Sequence, residues 1–245
     1  NSTMSNSSTL SPIRLDESGI FLNGRYRILL ASSLFYFRIP KECWERRMHL
    51  LKAAGYNTID VYFPWNYHET SPGIWNFTGQ RDVTQFLSLA AKNDLFVIAR
   101  PGPYICSEWD GGALPAWLWA DNVPVRQDNP AFLAQIEHWY KQILPLIIPF
   151  QITRGGPVIC MQIENELDFF DCKSPVSYME KLMQQARALG IDIPLFYCCG
   201  QNDLLRGGGL TPDLYTAFNV YTSADNAGME ERALHLYHAA QERQM

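Results

Sequence analysis

The carboxylates of the segment GGPVICMQIENELDFF, residues 155–170, are the groups of this sequence best placed for acid/base chemistry. A short apolar run from Pro157 to Ile163 leads straight into Glu164-Asn165-Glu166, so two carboxyl groups stand where a buried strand would surface. If the chain stays extended, alternation puts Gln162, Glu164 and Glu166 on one face and Asn165 on the other. A carboxyl group in a half-dry pocket keeps its proton to higher pH than one in water, and can deliver it to a leaving oxygen. By type alone, a loop carboxylate is more often solvated or an ion-pair partner.

Two further segments carry candidate binding groups. RPGPYICSEWDGGALPAWL, Arg100 to Leu118, holds three glycines, three prolines and two tryptophans around Glu108. It reads as a rigid, aromatic-walled loop with a carboxylate in its middle. Cys106 has no neighbouring His to act as its base, so a thiol nucleophile is not expected. NTIDVYFPWNYHETSPGIWNF, Asn57 to Phe77, puts Tyr62 at a strand end, followed by Trp65, Asn66, His68 and Glu69. With no HExxH and no second His nearby, His68 is expected to serve structure by hydrogen bonding and not to hold a metal.

These loops need elements to hold them, and the pattern supplies strands alternating with helices. Ile20 to Leu22, Asn23-Gly24, and Tyr26 to Leu30 predict a hairpin with an Asn-Gly turn. Arg27 to Ser33 is strand-like. Pro40 opens a helix with Trp44, Met48 and Leu51 on one face, ending at Gly55. Thr58 to Phe63 is the next strand, Val83, Phe86, Leu87 and Ala90 mark a helix that stops near Asn93, and Leu95 to Ala99 follows as a strand. Asn129 and Pro130 start a helix carrying Leu133, Ile136, Tyr140 and Ile143. Pro157 to Ile163 is a strand, and Ser174-Pro175 start a helix with Tyr178, Leu182 and Ala186, closed by Gly190. Leu195 to Cys198 and Ala217 to Tyr221 are two more strands, and a last helix starts near Met229.

Apolar strands in βα order predict a parallel α/β sheet, either doubly wound or a (β/α)8 TIM barrel. No Gly-x-Gly-x-x-Gly turn follows an early strand, which counts against an NAD-dependent oxidoreductase, and the long loops after strand ends suit a barrel. The barrel is incomplete in this chain, with about six βα units instead of eight. Residues 1–14 are expected to be a flexible lead-in and 15–245 a partial barrel.

Composition narrows the classes further. A net charge of −5 argues against nucleic acid, and no apolar run reaches the length of a membrane span. Six cysteines in 245 residues do not make a disulfide scaffold, and none of their spacings suggests zinc. The start, Asn-Ser-Thr, looks trimmed. Sequons at Asn1, Asn6 and Asn76 permit secretion without demonstrating it, so cytoplasmic and secreted settings both stay open.

Together the three loop segments resemble glycoside hydrolase family 35, a family of β-galactosidase-like enzymes, over residues 15–200. The resemblance implies a (β/α)8 barrel that hydrolyses terminal non-reducing β-D-galactose from β-galactosides by retaining double displacement. It implies Glu166 as acid and then base, and Asn165 as the partner of the sugar's 2-hydroxyl. Tyr62, Ile105, Cys106 and Glu108 would contact galactose, Glu108 by accepting hydrogen bonds from its hydroxyls, while Glu164 would be a supporting carboxylate. No metal or organic cofactor is implied. The attacking carboxylate would stand at the seventh strand, roughly eighty residues past Glu166 and so beyond Met245, with the rest of the barrel and β-domains in the complete protein. Glu230, Glu231 and Glu242 read as a solvated helix face. Two departures matter: Phe35 stands where the family has a His, and Leu167-Asp168-Phe169 replaces the usual Tyr-Gly. A β-glucosaminidase or β-glucosidase, or a catalytically silent carbohydrate-binding relative, are the alternatives.

Overall fold

The computed structural model describes residues 11–200, 206–209 and 211–219, together with Glu231, Leu234, His235 and His238. Strand β1 (Ile13–Asp16) pairs antiparallel with β2 (Gly19–Leu22), and the chain returns as β3 (Arg25–Arg27). Asn23 and Gly24, with φ of 51° and 76°, supply the two left-handed positions that a two-residue hairpin turn requires. Residues 13 and 14 thus belong to a strand. The next strand, β4, is shorter than its apolar run suggested, Ala31–Ser33, since Ile28 and Leu30 before it face solvent.

From β4 the βα rhythm governs. Helix α1 (Trp44–Ala53), entered through a turn of 3-10 helix, buries Trp44 and Met48 and leads to β5 (Thr58–Tyr62). The loop beyond holds the short helix α2 (Trp65–His68) and a small hairpin of β6 (Glu69–Ser71) and β7 (Ile74–Trp75). Helix α3 (Val83–Lys92) is capped by the Asp82 side chain, which accepts from the Gln85 N–H, and all four expected face residues are buried. Strand β8 (Phe96–Arg100), the short helix α4 (Trp117–Ala120) and α5 (Pro130–Ile147) follow, with Asn129 capping α5 through the amides of Ala131 and Phe132. Then come β9 (Val158–Gln162), α6 (Pro175–Leu189), β10 (Leu195–Cys199) and β11 (Tyr215–Phe218). Strand β11 lies nearer the N-terminus than the expected Ala217–Tyr221, and Tyr221 is outside the described residues. Of the expected last helix, Glu231, Leu234, His235 and His238 are helical, and Glu230 and Glu242 are outside the described residues.

The six strands form one sheet in the order β4-β5-β8-β9-β10-β11, and every pairing is parallel. That order separates the two candidate architectures. A doubly wound sheet reverses direction partway so that helices cover both faces, whereas right-handed crossovers in unbroken sequence order keep every helix on one side. The helices agree: α1 packs on α3, α3 on α5, and α5 on α6, as neighbours in an outer ring. The described residues form an incomplete (β/α) barrel. Its core lies between this ring and the strands, where Trp44, Phe86, Phe132, Ile136 and Tyr178 meet Ile59, Val97, Ile159 and Leu195.

Candidate active site

Strand β9 ends at Gln162, and the expected extension stops there. Glu164 and Glu166 take left-handed φ of 57° and 46°, so alternation fails and the two carboxylates part company. A non-glycine residue held in this region costs of order 1–3 kcal/mol, and it persists only where its surroundings over-determine it. Here the neighbouring strands do so. The Glu164 N–H donates to the Gly102 carbonyl after β8 (3.1 Å), and the Glu166 N–H to the Cys198 carbonyl on β10 (2.9 Å).

Glu164 turns inward, into a fully satisfied network. Arg126 Nε donates to its Oε1 at 2.9 Å, Arg126 Nη2 joins the same oxygen, and Tyr178 donates to Oε2 at 2.9 Å. Arg126 Nη2 also donates to the Asn165 carbonyl at 2.7 Å, while its guanidinium lies over the rings of Tyr104 and Phe170. Burial pulls the Arg126 pKa down, but the Glu164 charge more than offsets this and leaves it above the ordinary value. Burial first, then the Glu164 charge, hold the Tyr178 hydroxyl protonated and able to donate. Glu164 therefore anchors the turn.

Asn165 is buried, and its orientation follows from three donors on one atom. Its Oδ1 accepts from Gln162 Nε2 (3.0 Å), Tyr62 (3.3 Å) and Arg100 Nη2 (3.3 Å). That assigns Nδ2 as the group left for the cleft; among the described residues nothing accepts from it. Burial raises the Tyr62 hydroxyl and keeps it a donor, and Arg100 lies over the Tyr62 ring at 3.9 Å while paired with Asp60.

Glu166 is half-buried at the C-terminal edge of the sheet. Its Oε1 accepts from Asn219 Nδ2 at 2.5 Å. Asn219, just past β11, is itself held, its N–H donating to the Cys199 carbonyl and its Oδ1 accepting from Cys198 Sγ, both at 2.9 Å. Burial pushes the Cys198 thiol up to about 12, so it remains a donor. Neither Asn219 nor Cys198 stood out in the sequence, since an Asn after a strand carries no motif.

The loop after β8 closes the cleft. Cys106, Ser107 and Glu108 are three consecutive left-handed residues, with φ of 57°, 55° and 44°. Arg38 Nη2 holds the run by donating to the Ser107 carbonyl and, at 3.1 Å, to that of Glu108. The resulting hollow, about 230 Å³, has Tyr62, Cys106, Glu108, Asn165 and Glu166 in its lining, with Phe35, Arg100 and Asn219. Five of the six expected site residues thus meet. Ile105 lies beneath them in the core, its N–H donating to the Gly112 carbonyl at 2.9 Å. Phe35 forms an apolar wall, stacked on Phe37 at 5.3 Å and tilted against Tyr62. A larger hollow of about 500 Å³ lies near the opposite strand ends, around Ile193, Pro194 and Arg187. It contains none of these groups, and barrel chemistry resides at the C-terminal strand ends, so size is not the guide here.

His68 is buried, with both ring nitrogens engaged. Nδ1 donates to the Asn76 carbonyl at 2.9 Å, so Nε2 accepts from the Tyr36 hydroxyl at 2.5 Å. Burial lowers its pKa to about 4, and the ring is a neutral structural element.

The sequence matches the family described as glycosyl hydrolases family 35 over residues 19–244. It is 44% identical over 199 residues to the mouse (Mus musculus) beta-galactosidase-1-like protein, covering 80% of this chain and 30% of the relative. It is 41% identical over 196 residues to mouse beta-galactosidase, covering 79% and 30%. Arabidopsis thaliana beta-galactosidase 17 is 38% identical over 216 residues, with 86% and 31% covered. The chain thus spans about 30% of the length of these curated relatives. Among solved structures, the fold is similar to that of the exo-beta-1,4-mannosidase Op5Man5 from Opitutaceae bacterium strain TAV5, with a TM-score of 0.58, 15% identity and coverage of 81% and 36%. The catalytic domain of a mannanase from Streptomyces sp. SirexAA-E has a TM-score of 0.57 at 13% identity, with coverage of 98% and 72%.

Proposed function

The chain belongs to glycosyl hydrolases family 35, and from that membership we propose that it carries the sugar-binding and proton-donating part of a retaining β-galactosidase. The relatives named beta-galactosidase support the choice of sugar. The observation that carries the reading is the position of Glu166. It stands half-buried at the C-terminal strand ends, fixed by Asn219, in a hollow shared with Tyr62, Cys106, Glu108 and Asn165.

On this reading Glu166 protonates the glycosidic oxygen as the bond to the terminal galactose breaks, while a carboxylate on a strand following β11 attacks the anomeric carbon. Glu166 then takes a proton from water, which releases galactose with its β configuration retained. Asn165 Nδ2 donates to the 2-hydroxyl, a contact that strengthens as the transition state forms. Glu108 accepts from other hydroxyls, and Tyr62 and the backbone of the Ile105-Cys106 loop frame the ring. Carbohydrate is the partner; no step calls on a metal or organic cofactor.

The test is Glu166→Gln in the complete protein, assayed against a series of β-galactosides of falling leaving-group ability. Proton donation is worth roughly 10²–10⁴-fold, and a leaving group that departs as a stable anion does not need it. Alkyl galactosides should lose that much in kcat/KM and dinitrophenyl galactoside far less. Equal losses across the series contradict the assignment.

A further inference from the structure

The hydrogen bonds that reach Glu166 from β10 and β11 form a chain with a direction, and direction matters to a group that must deliver a proton. The two strands pair in parallel, Cys198 opposite Ala217 and Cys199 opposite Phe218. One residue further, the Asn219 N–H donates to the Cys199 carbonyl at 2.9 Å, which fixes Asn219 at the rim. Its side chain bridges two groups: Cys198 Sγ donates to Asn219 Oδ1 at 2.9 Å, and Asn219 Nδ2 donates to Glu166 Oε1 at 2.5 Å.

A carboxyl group carries its proton on one oxygen, and an N–H held against Oε1 makes that oxygen the acceptor. The proton of the acid form is thereby directed to Oε2. What keeps the amide in this orientation depends on the state of Glu166. While the carboxylate is ionised, its charge draws Nδ2 by itself. Once it is protonated, the opposite orientation competes, because Oδ1 can accept the carboxyl proton and hold it on Oε1. Cys198 decides between the two. Turning the amide over would exchange its S–H bond to Oδ1 for a weak contact of Nδ2 on sulfur. The thiol is 4% exposed, and burial, which raises its pKa to about 12, keeps the proton on sulfur at neutral pH.

We propose that Cys198 and Asn219 are positioning residues that place the proton of Glu166 on Oε2, the oxygen offered to the leaving group. This rests on the acid/base reading of Glu166. In the first step the proton passes from Oε2 to the glycosidic oxygen as its bond to the anomeric carbon breaks and the nucleophile's bond forms. The carboxylate left behind keeps the Asn219 N–H on Oε1.

The test measures kcat/KM for alkyl and dinitrophenyl β-galactosides in the complete protein and in C198A, C198S and N219D. N219D sets a second carboxyl group against Oε1 that can share the proton there, and should cost about 10²-fold on alkyl galactosides, which need the acid. C198A frees the amide to turn and should cost about 5-fold on the same substrates, the worth of one neutral hydrogen bond. C198S keeps a donor and should restore most of that loss. All three should hydrolyse dinitrophenyl galactoside as the wild type does, which shows in the same samples that fold and sugar site are intact. Equal losses on both substrates, or no loss on alkyl galactosides in C198A and N219D, overturn the proposal. Should C198A fail to fold, infrared spectroscopy reads the thiol directly. The Cys198 S–H band, identified by the difference between wild type and C198S, should move to higher frequency in N219L, and an unmoved band overturns the proposal. Failure of the acid/base reading looks different: Glu166→Gln itself then loses equally on both substrates, with Cys198 and Asn219 unchanged.

Discussion

Glu164 and Glu166 are identical in chemistry and two positions apart, yet their surroundings differ sharply. Glu164 has both oxygens engaged by Arg126 and Tyr178 and holds the turn, whereas Glu166 lines the cleft with Asn219 on its Oε1. The sequence showed both as candidates and the resemblance chose Glu166, but only the two left-handed residues explain why their faces differ. Arg126 is the neighbouring group that sequence reading missed, because it lies 38 residues before Glu164 in a loop without a motif. Removing one partner of a buried ion pair leaves an uncompensated charge, at a cost of roughly 3–5 kcal/mol. We expect Arg126→Met to lose about that much stability in urea, and kcat to fall more than KM rises, since the Asn165 carbonyl loses its donor as well. Adding Glu164→Gln should recover part of the stability. A single variant within about 1 kcal/mol of wild type would show that Glu164 does not depend on Arg126.

At the scale of elements, four side chains of the candidate site sit at or shortly after a strand end. Tyr62 closes β5, Arg100 closes β8, Glu166 follows β9 and Asn219 follows β11. Three of these ends were legible because apolar runs stop at them. Asn219 was not, since the run read as Ala217–Tyr221 buried it mid-strand; parallel pairing to β10 begins at Tyr215 and brings Asn219 to the rim. Helix boundaries read well where a cap was explicit, as at Asn129 and Gly190, and less well at Pro40, where a 3-10 turn intervenes before α1. The hairpin of β6 and β7 is fastened to helix α2 through His68, stacked on Phe77 at 4.5 Å. The folded His68 pKa of about 4 lies below the ordinary 6.5, so the unfolded chain binds the proton first as pH falls. This contribution to stability is fully present above pH 6.5 and is lost at up to about 1.4 kcal/mol per pH unit down to about pH 4. Urea midpoints measured across that window should show the slope, and His68→Gln should flatten it. An unchanged slope in the variant would assign the effect to another group.

For the whole molecule, the strictly sequential parallel sheet of the described residues makes the barrel architecture visible. Strand counting foresaw six units, and the order of pairing, which no strand pattern contains, separates a barrel from a doubly wound sheet. The outer strands of the described sheet are β4 and β11, and apolar side chains near them face solvent: Ile28 at 67% exposure, Leu30 at 54% and Tyr215 at 47%. Such edges and patches favour association. Residues 1–245 produced alone should self-associate in sedimentation experiments and turn over no galactoside, whereas a chain continuing through two more βα units should do neither. A monodisperse, active product of residues 1–245 would refute the idea that strands beyond β11 complete the barrel and supply the nucleophile. The central claim, that Glu166 is the acid/base of a retaining reaction, has its most direct test in Glu166→Gly with dinitrophenyl β-galactoside and azide. Azide needs no base to attack, so it should restore turnover and yield β-galactosyl azide. No rescue, or an α-configured azide, would contradict the account.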